Sequence, residues 1–131
     1  MKPLQYLSPD WIQEFKSRLQ QEITPSKGNV TASIVFRHLN APGGGQRYLY
    51  VNAANGSIRA VDAGEGQGPQ AEFAIVGDYG TFAQVLSGQL DPARALKSGR
   101  LKLQGNMMRA LRLTPFIEKI IREAADMYTV F

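Results

Sequence analysis

GDYGTFAQVLSGQLDPARALKSGRLKLQGNMMRALRL, residues 77–113, reads as two helices, a strand and the start of further helix, each with its own stop signal. Tyr79, Phe82, Ala83 and Leu86 fall at i, i+3, i+4 and i+7, the spacing of one helix face, between Gly77-Asp78 and a terminating Gly88. Asp91-Pro92 starts a second helix, which runs to about Ser98-Gly99. Its carboxylate is an N-cap acceptor, and proline, lacking an N–H, suits the first turn. Arg100–Gln104 then alternates, so Leu101 and Leu103 face inward from a strand. Gly105-Asn106 breaks that strand, and helix follows.

Working upstream, Ser8-Pro9 repeats the capping device and opens a helix to about Gln21, with Trp11, Ile12, Phe15 and Leu19 on one face. Thr24-Pro25 and Lys27-Gly28 close it. Asn29–Leu39 sets Val30, Ala32, Ile34 and Phe36 on one side and Thr31, Ser33 and Arg37 on the other, a half-buried strand. Ala41–Gln46 is a loop, Arg47–Asn52 a second strand, Asn55-Gly56 a two-residue turn and Ser57–Ala63 a third strand. After a flexible Gly64–Gln70 loop comes a fourth strand, Ala71–Val76; downstream, Thr114-Pro115 caps the last helix. Residues 1–131 thus form one α+β domain: a five-stranded, mostly antiparallel sheet with helices covering one face.

Composition narrows the chemistry. A hydrophobic fraction of 44 % excludes a disordered chain. No apolar run reaches the roughly 18 residues of a membrane span, and Asp10 and Glu14 interrupt any signal-like segment; a cytoplasmic protein is expected. Without cysteine there are no disulfides, thiol nucleophiles or thiolate metal sites. His38 is the single histidine, and its register with Ile34 and Phe36 fits a structural role better than catalysis. The glycines at 64, 66 and 68 link strand to strand, so no helix N-terminus receives a phosphate. No metal site and no cofactor are expected. The net charge of +4 is unevenly spread: Arg59 to Arg94 encloses only acids, whereas Arg94, Lys97, Arg100, Lys102, Arg109 and Arg112 are uninterrupted by any. Such a run suits an anionic partner or a solvated face. With no aromatics among these cations, nucleic acid is not the expected partner.

What remains is apolar. Met107, Met108, Leu111 and Leu113, followed by Phe116, Ile117, Ile120, Ile121 and Ala124, exceed what one helix needs against a small sheet. They fill either a packed core or the wall of a cavity, to which pliant methionines adapt well.

Residues 77–113 also resemble the sterol carrier protein type 2 family. Asp78, Phe82, Leu86, Gly88, Asp91, Pro92, Ala95, Gly99, Leu101, Leu103, Gly105 and Asn106 match its pattern in order, and the likeness extends from about Trp11 onward. The resemblance implies a hydrophobic tunnel between sheet and helices, closed partly by the segment after Asn106. It implies non-enzymatic binding and transfer of fatty acids, fatty acyl-CoAs, phospholipids, sterols or isoprenoid-like lipids. On that basis Ile34, Phe36, Leu49, Val51, Phe73, Ile75, Phe82, Leu86, Leu103, Met107, Met108 and Leu111 are expected to meet the lipid. Arg94, Lys97, Arg100, Lys102, Arg109 and Arg112 would meet headgroups or a transient anionic membrane surface. The terminal Tyr128-Thr129-Val130-Phe131 is no peroxisomal signal. The other reading is an accessory protein for a lipid or quinone biosynthetic enzyme, docking or weakly self-associating through its C-terminal helices. An exposed patch of Phe116, Ile120 and Tyr128 without a cavity would favour it.

Overall fold

Local chemistry sets the helix boundaries. The structure is a computed structural model describing residues 2–131. Ser8 caps α1 (Pro9–Glu22), its Oγ accepting from the Trp11 amide at 3.3 Å, and Asp91 caps α3 (Pro92–Lys97) by accepting from the Arg94 amide at 3.2 Å. Thr114 is not a cap. Helix α4 (Met107–Arg112) runs through Leu113 straight into α5 (Thr114–Ala125), leaving no extended residue from which a side chain could reach back. The Thr114 hydroxyl instead donates to the Ala110 carbonyl at 3.1 Å. The cap of this helical stretch is Asn106, which accepts from the Arg109 amide. Helix α2 (Tyr79–Leu86) completes the helical layer.

The main sheet has the order β4 (Ser57–Glu65), β3 (Arg47–Ala54), β2 (Ala32–Leu39), β5 (Phe73–Asp78), β6 (Leu101–Gln104). Three pairings are antiparallel, including the β2–β3–β4 meander, but β2 and β5 run parallel, so the sheet is mixed. Asn55 and Gly56 both take positive φ, 52° and 80°, as the tight β3–β4 turn requires.

That parallel pair forces the chain to cross from the β4 edge over two strands, and the glycine-rich segment makes the crossing on the sheet's outer face. The expected loop is shortened at its start, because Gly64 and Glu65 extend β4, and residues 66–70 remain an exposed loop anchored at two points. Arg37 Nε donates to the Gln67 carbonyl at 3.0 Å, and a Cβ at Gly68 would come within 2.5 Å of the Tyr48 ring.

The inner face carries the core. Trp11, Phe15 and Leu19 of α1 are fully buried, with α1 laid along β4 and touching α5. Two short end strands, β1 (Leu4–Gln5) and β7 (Thr129–Val130), pair in parallel and bring the chain ends together; no local pattern in the sequence signals either.

Candidate functional site

The register of the sheet divides its inner face into rows. Ala63, Leu49, Phe36, Ile75 and Leu103 are mutual neighbours across all five strands, and Val61, Val51, Ile34 and Phe73 form the next row. Two apolar spaces lie between this face and the helices. An inner chamber of about 30 Å³ is lined by Phe36, Leu49 and Ile75 below and by Tyr6, Phe15, Phe82, Val85, Leu86, Leu101, Ile120, Ile121 and Ala124 around it. No polar atom faces it. An outer groove of about 270 Å³ opens between α3, β6, α4 and α5, lined by Pro92, Ala93, Leu96, Leu101, Leu103, Met107, Ala110, Leu111, Ile117 and Ile121, with Ile75, Thr114 and Glu118. Ile75, Leu101 and Ile121 belong to both walls.

Of the expected lipid contacts, Phe36, Leu49, Ile75, Phe82 and Leu86 meet at the chamber, and Ile75, Leu103, Met107 and Leu111 at the groove. Ile34, Val51 and Phe73 lie in the other row, buried in the core and away from both spaces. Met108 lines neither and points to solvent. Alternation reveals which face a residue is on, but only register reveals which row. The sequence left Ile117, Ile120, Ile121 and Ala124 open between packed core and cavity wall; in the structure all four, at helical spacing on α5, line one or both spaces. No pattern in the sequence points to Tyr6.

The closed end of the chamber is aromatic. Tyr6 donates its hydroxyl to His38 Nε2 at 2.8 Å, while His38 Nδ1–H donates to the Phe36 carbonyl at 2.9 Å. Because a carbonyl only accepts, the proton sits on Nδ1 and Nε2 is free to accept. The imidazole stacks on Phe82 with centroids 4.0 Å apart. Burial pushes His38 down to about 4, and the Arg47 charge adds to this against backbone hydrogen bonds that favour protonation. Burial also raises the Tyr6 phenol far above its ordinary value. Both polar side chains are therefore held neutral and mutually satisfied.

The open end is built oppositely. Leu96 is 40 % exposed, Met107 57 %, Met108 67 % and Leu111 70 %, all on α3 and α4. Each forgoes much of the about 1.5–3 kcal/mol that full burial of such a side chain would contribute. Among the six cations, Arg100 donates to Gln84 and, at 3.5 Å, to Thr81, while Arg109 is tied to Glu72 and the Thr31 carbonyl. Arg94, Lys97, Lys102 and Arg112 are exposed and have no ion pair among the described residues. Lys102, alternating with Leu101 and Leu103, projects from the sheet's other face, so of these four Arg94, Lys97 and Arg112 lie on helices that flank the groove.

Among the described residues there is no group of three or more His, Asp or Glu side chains fit to hold a metal ion, and no helix long and apolar enough to cross a membrane. Phe116 and Ile120 are buried and only Tyr128 of that trio is exposed, so the patch that would favour a docking scaffold does not form.

A sheet roofed by helices over a largely apolar groove and an apolar chamber, with Thr114 and Glu118 the polar side chains among the groove's lining, is the construction of a binding domain for hydrophobic ligands. The chain belongs to the SCP-2 sterol transfer family, whose model matches residues 12–118, and lipid binding is what that membership carries. Its fold is similar to a crystal structure of sterol carrier protein 2, with 22 % identity, a TM-score of 0.77 and coverage of 94 % of this chain and 99 % of that one. A conserved hypothetical protein of Thermus thermophilus matches at 20 % identity and a TM-score of 0.77, over 99 % of this chain and 94 % of its own. The palmitated SCP2L2 of Aedes aegypti matches at 17 % identity and a TM-score of 0.57, over 84 % and 94 %. No curated protein matches the chain.

Proposed function

We propose that the protein is a cytoplasmic, non-enzymatic carrier that shields one lipid tail between its helices and sheet and exchanges it at anionic membrane surfaces. The observation that carries this reading is the largely apolar groove of about 270 Å³ leading toward an apolar chamber beyond Ile75, Leu101 and Ile121. A tail of a fatty acid, fatty acyl-CoA, phospholipid, sterol or isoprenoid-like lipid gains about 0.8 kcal/mol for each methylene removed from water, so affinity needs no polar contact in the interior. The head remains at the mouth, where Arg94, Lys97 and Arg112 attract a carboxylate or phosphate.

Membrane contact falls to the same end. Met108 and Leu111 are exposed apolar side chains beside those cations, a combination suited to a lipid interface. Arg100 and Arg109 instead tie elements of the protein together. The palmitated form of the mosquito relative supports an acyl tail as one acceptable cargo.

Gentle purification followed by native mass spectrometry, together with displacement of a fluorescent fatty acid, tests the reading. Co-purified lipid or saturable uptake is expected. A protein that carries none and takes up none overturns it.

A further inference from the structure

Resting on the carrier reading above, we infer that Ile121, set against Ile75 and Leu101, is a specificity-determining constriction that passes a single flexible hydrocarbon chain and rejects rigid fused rings. Among the described residues these three are the only side chains common to the groove and the chamber, so they form the partition between them. Two of the three are fixed. Ile75 and Leu101 are each 3 % exposed on paired strands, and Leu101 is wedged over Gly77, where an added Cβ would come within 2.5 Å of its Cδ2. The third, Ile121, is only partly buried on α5 and is the side that can yield.

Size decides what passes. The groove, at about 270 Å³, exceeds the roughly 150 Å³ that accommodates a benzene ring. The chamber, at about 30 Å³, is several-fold smaller than both the groove and the roughly 150 Å³ of a benzene-sized cavity, and its exposed lining is all carbon. A fused-ring ligand can lie in the groove but cannot thread beyond it. A flexible chain bends past Ile121 and seats its tip against Tyr6 and Phe82, expanding a chamber walled by side chains. The physiological cargo is accordingly a long, unbranched single-chain amphiphile.

The experiment uses the delipidated full chain and competes octanoate, laurate and palmitate against a fluorescent fatty acid, with dehydroergosterol as the rigid probe. In the unaltered protein, affinity is expected to rise by as much as about fourfold per added methylene up to palmitate, with the sterol at least about tenfold weaker than palmitate. Ile121→Phe should abolish the gain from laurate to palmitate while sparing octanoate, which fits in the groove alone. Ile121→Ala should raise sterol affinity by about tenfold. Thermal melts verify folding, and the alanine variant decides the matter if the phenylalanine variant does not fold. Sterol bound as tightly as palmitate by the unaltered protein, an undiminished chain-length series in Ile121→Phe, or unchanged sterol affinity in Ile121→Ala overturns the constriction and leaves the carrier reading standing. Failure to bind any probe overturns both.

Discussion

The two ends of the apolar space are made from similar side chains put to opposite use. At the closed end, Tyr6, Trp11, Phe15, His38 and Phe82 are buried, and their rings meet edge-on, tilted or stacked at centroid separations of 4.0–5.5 Å. At the mouth, Leu96, Met107, Met108 and Leu111 stand in water on six-residue helices that each bury a single alanine, Ala95 in α3 and Ala110 in α4. Deep burial at one end and incomplete burial at the other imply that most of the stability resides in the first, while cargo enters and leaves by the second.

The comparison breaks most directly at α1. Trp11→Ala should cost about 3–5 kcal/mol in chemical denaturation, because a fully buried indole leaves a cavity that its neighbours cannot fill. A loss under about 1 kcal/mol would show that the closed end is not the stabilising one. The next effect is acid sensitivity. Neutral His38 is the folded form, and its value is lowered from 6.5 to about 4. Its contribution is complete above the unfolded value and declines as pH falls from about 6.5 to about 4, roughly 3 kcal/mol in all. Urea midpoints across that window should fall in the native protein and fall less in His38→Gln.

A smaller effect isolates one hydrogen bond. Tyr6→Phe keeps the ring but leaves His38 Nε2 buried without a donor, and should cost about 1–3 kcal/mol. At the mouth, the same measurement should show almost nothing. Met108→Ser combined with Leu111→Ser is expected to alter stability by no more than about 0.5 kcal/mol per site. Sedimentation with vesicles containing anionic lipid should nevertheless drop several-fold for that pair. If folding stability falls as far as it does for Trp11→Ala, the contrast between the two ends is wrong.

Elements were legible in the sequence wherever a local signal exists. Ser8-Pro9 and Asp91-Pro92 mark helix starts because the cap and the proline act within one turn, and Asn55-Gly56 marks its turn because both residues tolerate positive φ. Thr114-Pro115 carries the same dipeptide signal but sits between two abutting helices, a tertiary circumstance. The parallel β2–β5 pairing is likewise non-local, and it makes the loop at residues 66–70 a crossing over two strands, tethered by Arg37 and by Gly68 against Tyr48. In the site, alternation placed Phe36 and Ile34 on one face alike; pairing with Leu49 and Ile75 put Phe36 under the chamber, whereas Ile34, beside Val51 and Phe73, fell in the core. Tyr6 was invisible for a related reason. It reaches the chamber because β1 is held by β7 at the far end of the chain.

That last pairing has a consequence for connectivity. With Leu4 opposite Thr129 and the Leu4 amide bonded to the Tyr128 carbonyl at 2.9 Å, the backbone traces a nearly closed ring. A short linker across the seam, with the cut moved to the exposed Gly43–Gly45 turn, should yield a circular permutant that folds to the same cavity. A permutant that folds and takes up lipid would show that carrying cargo depends on the β1–β7 seam and not on where along the ring the chain is cut.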